Sequence, residues 1–541
     1  MEANIQTGAA SAGKKRVVLL ALVLLTAVVV VNLILPLVML FVKAVDFEPF
    51  WEGFASAFSK QSTLTALANS AKVTACAATF AVGFAYFFAY IVEFKLKGRM
   101  KRAFRLISIL PMLVPSITHG IVIVYLFGNM GIFTRLTGLN LNIYGPLGII
   151  MGSFFYSFPM AFLVFSQAFV NLDGRLFDNT RVLGVAPLRR FFDITLPMTK
   201  YAIFSAYAVC FTMIFTDYGI PLSVGGTYQI LPILFYRNVV GLLDFSTGAI
   251  YSIMLLVPAA IVYLLDVFWF SKKQASTRRT TLLDTGRFAA WQKGLFALIT
   301  FVIFLCIAVI VLVPFVENWP YDLSLTTRYF ELITRNGRLA RLILNSLVIA
   351  LCTGVIGTLL SFGAGYIYVR DKSGNSGFKK LTHGLYMVTL AVPGLALGLA
   401  FALTFRGSFL YNTLAILIIV NVMHFFGSPY MMVISHFKLM DPNLEDVCRS
   451  LGASPLRTLT DVIIPSSKKV LTDVFAYFFT NTMVTISAVS MLYNSRTMTL
   501  AVQITAFSNQ GSWESAVSVA LVILLTNTAV KIWQNRRLDR R

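Results

Sequence analysis

The sequence predicts an all-α polytopic membrane protein of about twelve transmembrane helices in two parallel six-helix repeats. Three observations carry that reading: the composition, the spacing of apolar runs, and the return of the same landmarks in the second half. The 541 residues are 57% hydrophobic and 13% charged, whereas soluble domains hold about 25% charged residues. Water cannot cover so much apolar surface, so the surrounding solvent is lipid. Crossing about 30 Å of hydrocarbon takes roughly 20 apolar residues at a helix rise of about 1.5 Å. Such runs lie near residues 17–42, 64–92, 106–127, 146–170, 201–223 and 247–270, and again near 294–316, 342–369, 384–405, 411–436, 470–493 and 515–533.

The first run, from Val17 to about Val42, is too long for a signal-peptide core and meets no small-residue cleavage pattern before Asp46, so it reads as a retained helix. A net charge of +22 raises the question of nucleic acid. The cations instead flank apolar runs: Lys14, Lys15 and Arg16 precede the first, Lys95 to Arg105 follow the second, and Lys272 to Lys293 fill the middle. By the positive-inside rule these clusters lie in the cytoplasm. Both termini are therefore expected there, with residues 1–270 as the first repeat, 271–293 as a basic linker and 294–541 as the second repeat. Five cysteines, scattered singly, give neither a disulfide framework nor metal-ligand spacing.

Landmarks test the repeat better than hydropathy does. Asn69-Ser70 returns as Asn345-Ser346 at an offset of 276, Pro115 as Pro393 at 278, Pro159 as Pro429 at 270, and Gly184 and Pro197 as Gly452 and Pro465 at 268. Loops absorb such small drifts. The closest match is hydrophilic and gapless. Asp178, Arg181, Gly184, Pro187, Leu188 and Pro197 pair with Asp446, Arg449, Gly452, Pro455, Leu456 and Pro465, between the fourth and fifth runs. Each copy reads as a short helix, a glycine free to take positive φ, and a second short helix on the membrane surface. Apolar Leu188, Phe191 and Phe192 are expected to face a partner groove.

These two stretches, Asp178-Asn-Thr-Arg-Val-Leu-Gly and Asp446-Val-Cys-Arg-Ser-Leu-Gly, resemble the EAA loop of binding-protein-dependent ABC importer permeases. Aspartate stands at the glutamate position and other residues replace the alanines. The resemblance covers nearly the whole chain and implies a type I importer permease fold, with each loop docking one of two ATPase subunits. It also implies a periplasmic or lipid-anchored solute-binding protein as partner, residence in the bacterial inner membrane, and ATP and magnesium held by the ATPase, none by this chain. Thr216-Asp-Tyr-Gly219 and Met483 to Val489 look most like the ferric-iron and 2-aminoethylphosphonate members of that family, with thiamine and polyamines as further candidates.

Gly8 to Lys15 nearly spells a phosphate-binding loop, but Lys15 replaces the magnesium-binding Ser/Thr and no strand precedes it. No catalytic or metal-binding set is expected, and His119 and His424 read as packing groups. Charged groups inside spans are costly, so Asp217 is a candidate for the substrate path, joined in the second half by Asn481, Thr482 and Thr485. A proton-coupled secondary transporter also has twelve spans and parallel halves, yet has no use for twin docking loops. A lipid-modifying enzyme would need a cluster of acids or histidines at one membrane face.

Overall fold

The computed structural model describes residues 20, 22–45, 50–265, 289–334, 337–370 and 376–539. Lys14 to Arg16, the Gly8 run and the linker cations from Lys272 to Arg287 lie outside the described residues.

The described residues are helical nearly throughout, and among them one departure from all-α occurs, a two-stranded antiparallel ribbon of Val316–Asn318 against Asp322–Leu325. Long apolar helices run Leu22–Val45, Gln61–Phe94, Pro146–Val170, Pro187–Phe215, Phe245–Leu265, Ala290–Phe315, Arg338–Arg370 and Trp513–Arg537. With Ser116–Thr137 they make nine spans among the described residues, or ten if the pair Leu414–Phe425 and Gly427–Leu439, bent by 53°, counts as one. The remaining two of the twelve expected runs form shorter helices, Gly394–Phe405 and Lys468–Val484.

Proline and the residue before it explain much of this shortening. Ahead of Pro115, Val114 is extended, because the proline ring disfavours the helical region for its predecessor. The third span therefore starts at Ser116 rather than 106. Pro115 also lacks the amide that would bond the Pro111 carbonyl, and His119 Nε2 takes that carbonyl at 2.9 Å. Pro393 likewise opens the helix Gly394–Phe405. In the tenth span the bend falls at Phe426, where Pro429 cannot supply the next helical amide.

The fifth and eleventh runs end earlier than expected, at Phe215 and Val484. In both halves an irregular segment follows, fastened by the Asn-Ser landmark of the second span. Asn69 Nδ2 donates to Gln229 O at 3.0 Å and Ser70 Oγ accepts from Leu231 N at 2.8 Å. Asn345 Nδ2 donates to Arg496 O and Met498 O at 2.8 and 3.0 Å.

The chain packs as two compact units that do not follow the sequence halves. One comprises residues 1–43, 341–499 and 526–541, so the first span packs with second-half helices. Its core joins Phe362, Val433, Phe437, Val474 and Phe478. The other comprises 44–340 and 500–525. There, small residues of the second span, Ala77, Ala78, Ala85 and Ala89, lie in one core with Phe158, Phe162, Phe165 and Phe169 of the fourth. Close approach over small side chains is the usual source of helix association in lipid, where burial gives little drive. Large side chains such as Phe80, Phe204, Phe301 and Leu359 remain exposed along the spans, as a lipid solvent allows.

Candidate functional site

The twin loops fold alike, hydrogen bond by hydrogen bond. Each opens with an aspartate side chain that accepts from an amide two residues on: Asp173 from Arg175 at 3.0 Å and Asp441 from Asn443 at 2.8 Å. A short helix follows, Gly174–Val182 or Leu444–Ser450. It ends on a glycine with φ of +69° at Gly184 or +77° at Gly452. Around that glycine, Gly184 N bonds Arg181 O and Val185 N bonds Thr180 O, at 3.1 and 3.0 Å, while Gly452 N bonds Arg449 O and Ala453 N bonds Cys448 O, both at 3.0 Å. These paired bonds form the Schellman termination, which satisfies the last carbonyls and reverses the chain.

The second element departs from the expected separate surface helix. Pro187–Arg190 and Pro455–Thr458 each continue into a five-residue π turn, Phe191–Thr195 or Leu459–Ile463. In the first half this runs straight on into the fifth span, Pro187–Phe215. The π turn precedes Pro197 and Pro465: Leu196 N reaches back to Phe191 O, and Ile464 N to Leu459 O. Widening the ladder there accommodates a proline that would otherwise crowd the carbonyl four residues back. Pro197 and Pro465 thus sit within or beside helix, where the sequence suggested the end of a loop. Arg189–Asp193 and Arg457–Asp461 pair along the exposed side at 3.1 and 3.3 Å.

Asp178, Arg181, Arg449 and Pro187 are exposed, and Asp446 pairs with Arg449 at 3.5 Å. Leu188 and Leu456 are 66% and 71% exposed. The leucines just before the glycines, Leu183 and Leu451, which match between the two copies in sequence, are 77% and 82% exposed. Phe192 is exposed as expected. Phe191 turns inward instead, with its ring 6.0 Å from Tyr86 and 5.6 Å from Tyr90 of the second span.

Each loop is fastened to the end of a second span by different chemistry. In the first half Phe177, next to Asp178, meets Phe94 with ring centroids 5.4 Å apart. In the second half the matching residues are Glu445 and Arg370. Arg370 Nε donates to Glu445 Oε1 at 2.7 Å, Nη2 pairs with Oε2, and the same guanidinium donates to Met440 O at 3.3 Å and Asp441 O at 2.7 Å. One residue before Phe94, buried Glu93 accepts from Arg105 at 2.8 Å, from Lys101 at 2.9 Å and from Ser166. That cluster ties the second span to the helix Gly98–Ile109 and to the fourth span.

Of the candidate path residues, Asp217 gives an oxygen to the Ile220 amide at 3.0 Å and is hydrogen-bonded by Ser116. It therefore caps the short helix Gly219–Val224. Asn481 donates to Tyr477 O at 2.8 Å and Thr485 to Asn481 O at 2.6 Å, both back along their own helix. Thr482 has a buried hydroxyl with no partner among the described residues. Asn481, Thr482 and Thr485 thus gather at one helix end in one unit, while Asp217 belongs to the other. No group of three or more His, Cys, Asp or Glu among the described residues is placed to hold a metal ion.

A glycine–serine exchange lies beside this region. In the first half Ser116 begins the third span and Gly219 faces it, so that a Cβ on Gly219 would stand 2.5 Å from Ser116 Oγ. In the second half the roles reverse: a Cβ on Gly394 would stand 2.3 Å from Ser487 Oγ. Each contact has room for one hydroxymethyl group.

The chain is similar to permeases from several bacteria. It is 21% identical over 456 residues to the ferric transport system permease protein FbpB of Actinobacillus pleuropneumoniae, covering 79% of this chain. This chain spans 64% of the length of that relative. It is 22% identical over 435 residues to the Fe(3+)-transport system permease protein FbpB 2 of Haemophilus influenzae, covering 79% of this chain and 80% of the relative. A molybdenum transport system permease protein, ModB of Mycobacterium bovis, matches 43% of this chain at 26% identity and 88% of its own length. The family model described as the inner membrane component of binding-protein-dependent transport systems matches twice, at residues 81–319 and 357–541. The chain therefore belongs to the family of binding-protein-dependent transport system inner membrane components, with two copies of that domain fused in one polypeptide.

Proposed function

We propose that this chain is the translocating permease of an ABC importer, and that each twin loop seats one subunit of a separate ATPase. The single observation that carries this reading is the repetition of the loop in both halves, down to the capping bonds, the positive-φ glycine and the π turn before the proline. A connector alone has no need of such duplication. Leu183 and Leu188, with Leu451 and Leu456, present apolar knobs at matching positions of the two loops, beside exposed Val182, Phe192 and Val447, and such knobs fit a hydrophobic groove with a polar rim. The first loop's second element is continuous with the fifth span, so displacement of the docked element moves that span as a rigid lever. ATP and magnesium belong to the ATPase. The chain itself moves a solute and makes no covalent change to it.

The cargo proposed is ferric iron handed over by a solute-binding protein, supported by the names of relatives that align with four fifths of this chain. With Asp217 engaged in capping, this reading assigns the path to neutral oxygen and amide groups, Asn481, Thr482 and Thr485 among them, and leaves cargo selection to the binding protein. By the positive-inside rule the loops and both termini face the cytoplasm.

The test is co-expression with an ATPase encoded beside the gene, followed by purification and hydrolysis assays in lipid, with and without Gly184→Trp and Gly452→Trp. Two ATPase copies per chain, with one lost to each substitution, are expected. Purification alone, with uptake driven by a proton gradient, replaces the reading with that of a secondary transporter.

A further inference from the structure

The helix Arg338–Arg370 spans one packed unit from end to end. Its last residue, Arg370, is tied to the second loop through Glu445. Arg341, near the other end and exposed, stands about 40 Å away at about 1.5 Å per residue, the depth of a whole bilayer. Two further segments meet it there. Asn345, one turn after Arg341, donates from Nδ2 to Arg496 O and Met498 O at 2.8 and 3.0 Å, and Asn494 Nδ2 donates to Asn412 O at 3.0 Å. Asn494 also holds the turn that presents Arg496, its Oδ1 accepting from Arg496 N at 2.8 Å and from Thr497 N at 3.0 Å. The loop containing Asn412 opens at exposed Arg406 and carries Phe409, 89% exposed. Arg496 is exposed as well. The acids of residues 341–499 are Asp371, Asp441, Glu445, Asp446, Asp461 and Asp473. In sequence each follows the loop-side end of the long helix, belongs to the second loop, or sits in the first two turns of Lys468–Val484. None falls in the segments that bring Arg341, Arg406 and Arg496 together. The outer stretch of the other unit, by contrast, carries Glu317, Asp322 and Glu331.

We propose that this outer end, with Arg341, Arg406, Arg496 and Phe409, is a docking surface for an acidic lobe of the solute-binding protein. The inference rests on the importer reading above and on the orientation it gives. Orientation does not account for these cations, because the bias in membrane proteins gathers Lys and Arg on the cytoplasmic side. Charge selects the partner: three exposed arginines on segments without an acid complement an anionic surface and steer its approach. Phe409 selects a protein over a small anion. An aromatic ring projecting among arginines has the composition of a protein interface anchor, whereas an inorganic anion gains nothing from a phenyl ring. The three segments are joined by backbone-directed hydrogen bonds, so the arginines are presented on a set frame before the partner arrives, and less ordering is left to be done on binding.

The test uses the full chain with its ATPase in phosphatidylcholine discs, titrated with the cargo-free solute-binding protein encoded beside the gene while association and dissociation rates are followed. At about 50 mM salt, Arg341→Gln, Arg406→Gln and Arg496→Gln together should slow association about tenfold, and the difference should vanish at about 0.5 M salt, where exposed charges are screened. Each substitution alone should slow it about twofold, in keeping with exposed charge pairs, and the single variants carry the test if the triple variant unfolds. Phe409→Ala should instead speed dissociation several-fold. Lys60→Gln removes a like charge from just before the helix Gln61–Phe94 in the other unit and should leave both rates unchanged. Unaltered unfolding temperature and ATP hydrolysis without binding protein show that a variant is folded. No binding by the unaltered chain rejects the importer reading and this inference with it. Binding that the arginine substitutions leave unchanged, or that Lys60→Gln weakens equally, overturns the surface alone. An arginine effect seen only in discs containing phosphatidylglycerol assigns these cations to the membrane, and one seen only with cargo-loaded binding protein assigns them to an anionic cargo; either overturns the proposal.

Discussion

Single residues fix the geometry of the loops. Gly184 and Gly452 hold φ near +70° while a Cβ at either would meet nothing within 4 Å. The glycines are thus needed for backbone conformation, not for space. Alanine there costs about 1–2 kcal/mol through the left-handed backbone, expected as roughly tenfold or faster hydrogen exchange in segments 180–186 and 448–454 with the spans unaffected. Unchanged exchange would mean that the cap is not held by the glycine. The glycine–serine contacts predict a different signature. Gly394→Ser alone places two hydroxymethyl groups in a gap for one and should destabilise by about 1–3 kcal/mol, the usual cost of overpacking. Adding Ser487→Gly should recover most of it, and a double-mutant cycle with no coupling would contradict the close contact.

At the scale of elements, the two loops share a fold but differ in how they are fastened. Breaking the part-buried Arg370–Glu445 pair leaves an uncompensated charge, worth roughly 1–3 kcal/mol. Arg370→Gln should therefore loosen residues 440–466, read by limited proteolysis or hydrogen exchange, and leave 172–198 as they were. Arg370→Phe combined with Glu445→Phe copies the first-half pair of Phe94 and Phe177 and is expected to restore much of the order. If Arg370→Gln loosens both loops equally, the separate anchoring is wrong. The ribbon at 316–325 responds to pH instead. Hydrogen bonding by Thr326 and pairing with Arg328 hold the Glu317 carboxyl below its ordinary value, and Ser324 does the same for Asp322. A lowered folded value means that stability is present above the ordinary carboxylate range and lost as pH falls through the lowered value. Trp319, whose Nε1 bonds Tyr125 O at 3.3 Å, gives the readout. Its emission should hold from neutral pH to about pH 5 and shift below about pH 4, and Glu317→Gln should remove most of the acid transition.

Across the whole molecule, the division into packed units differs from the division into repeats. The first span belongs with residues 341–499, and a Cβ on Gly363 would stand 3.9 Å from Leu25 Cδ1. In a background freed of the five native cysteines, Leu25→Cys and Gly363→Cys should join through a short bifunctional reagent, so that a chain cut in the 266–288 region still migrates as one piece. Two separate fragments after the cut would refute the packing.

Residue types along the chain were enough to read its solvent, its helical class, the repeat and the twin loops. Hydrophobicity and the conformational demands of glycine and proline are local properties, and two copies of one loop make them visible twice. Gly184 and Gly452 could be read as turning points from their spacing alone, because only glycine takes positive φ without strain. Tertiary structure decided what depends on partners distant in sequence. Arg370 meets Glu445 seventy-five residues on, and Asn69 closes on Gln229. Periodicity could not show that the first span packs with second-half helices, nor that Asp217 caps the next helix. In lipid, apolar pattern says that a segment is buried in the membrane but not which neighbour it chooses, since that choice rests on small-residue fit and individual polar contacts.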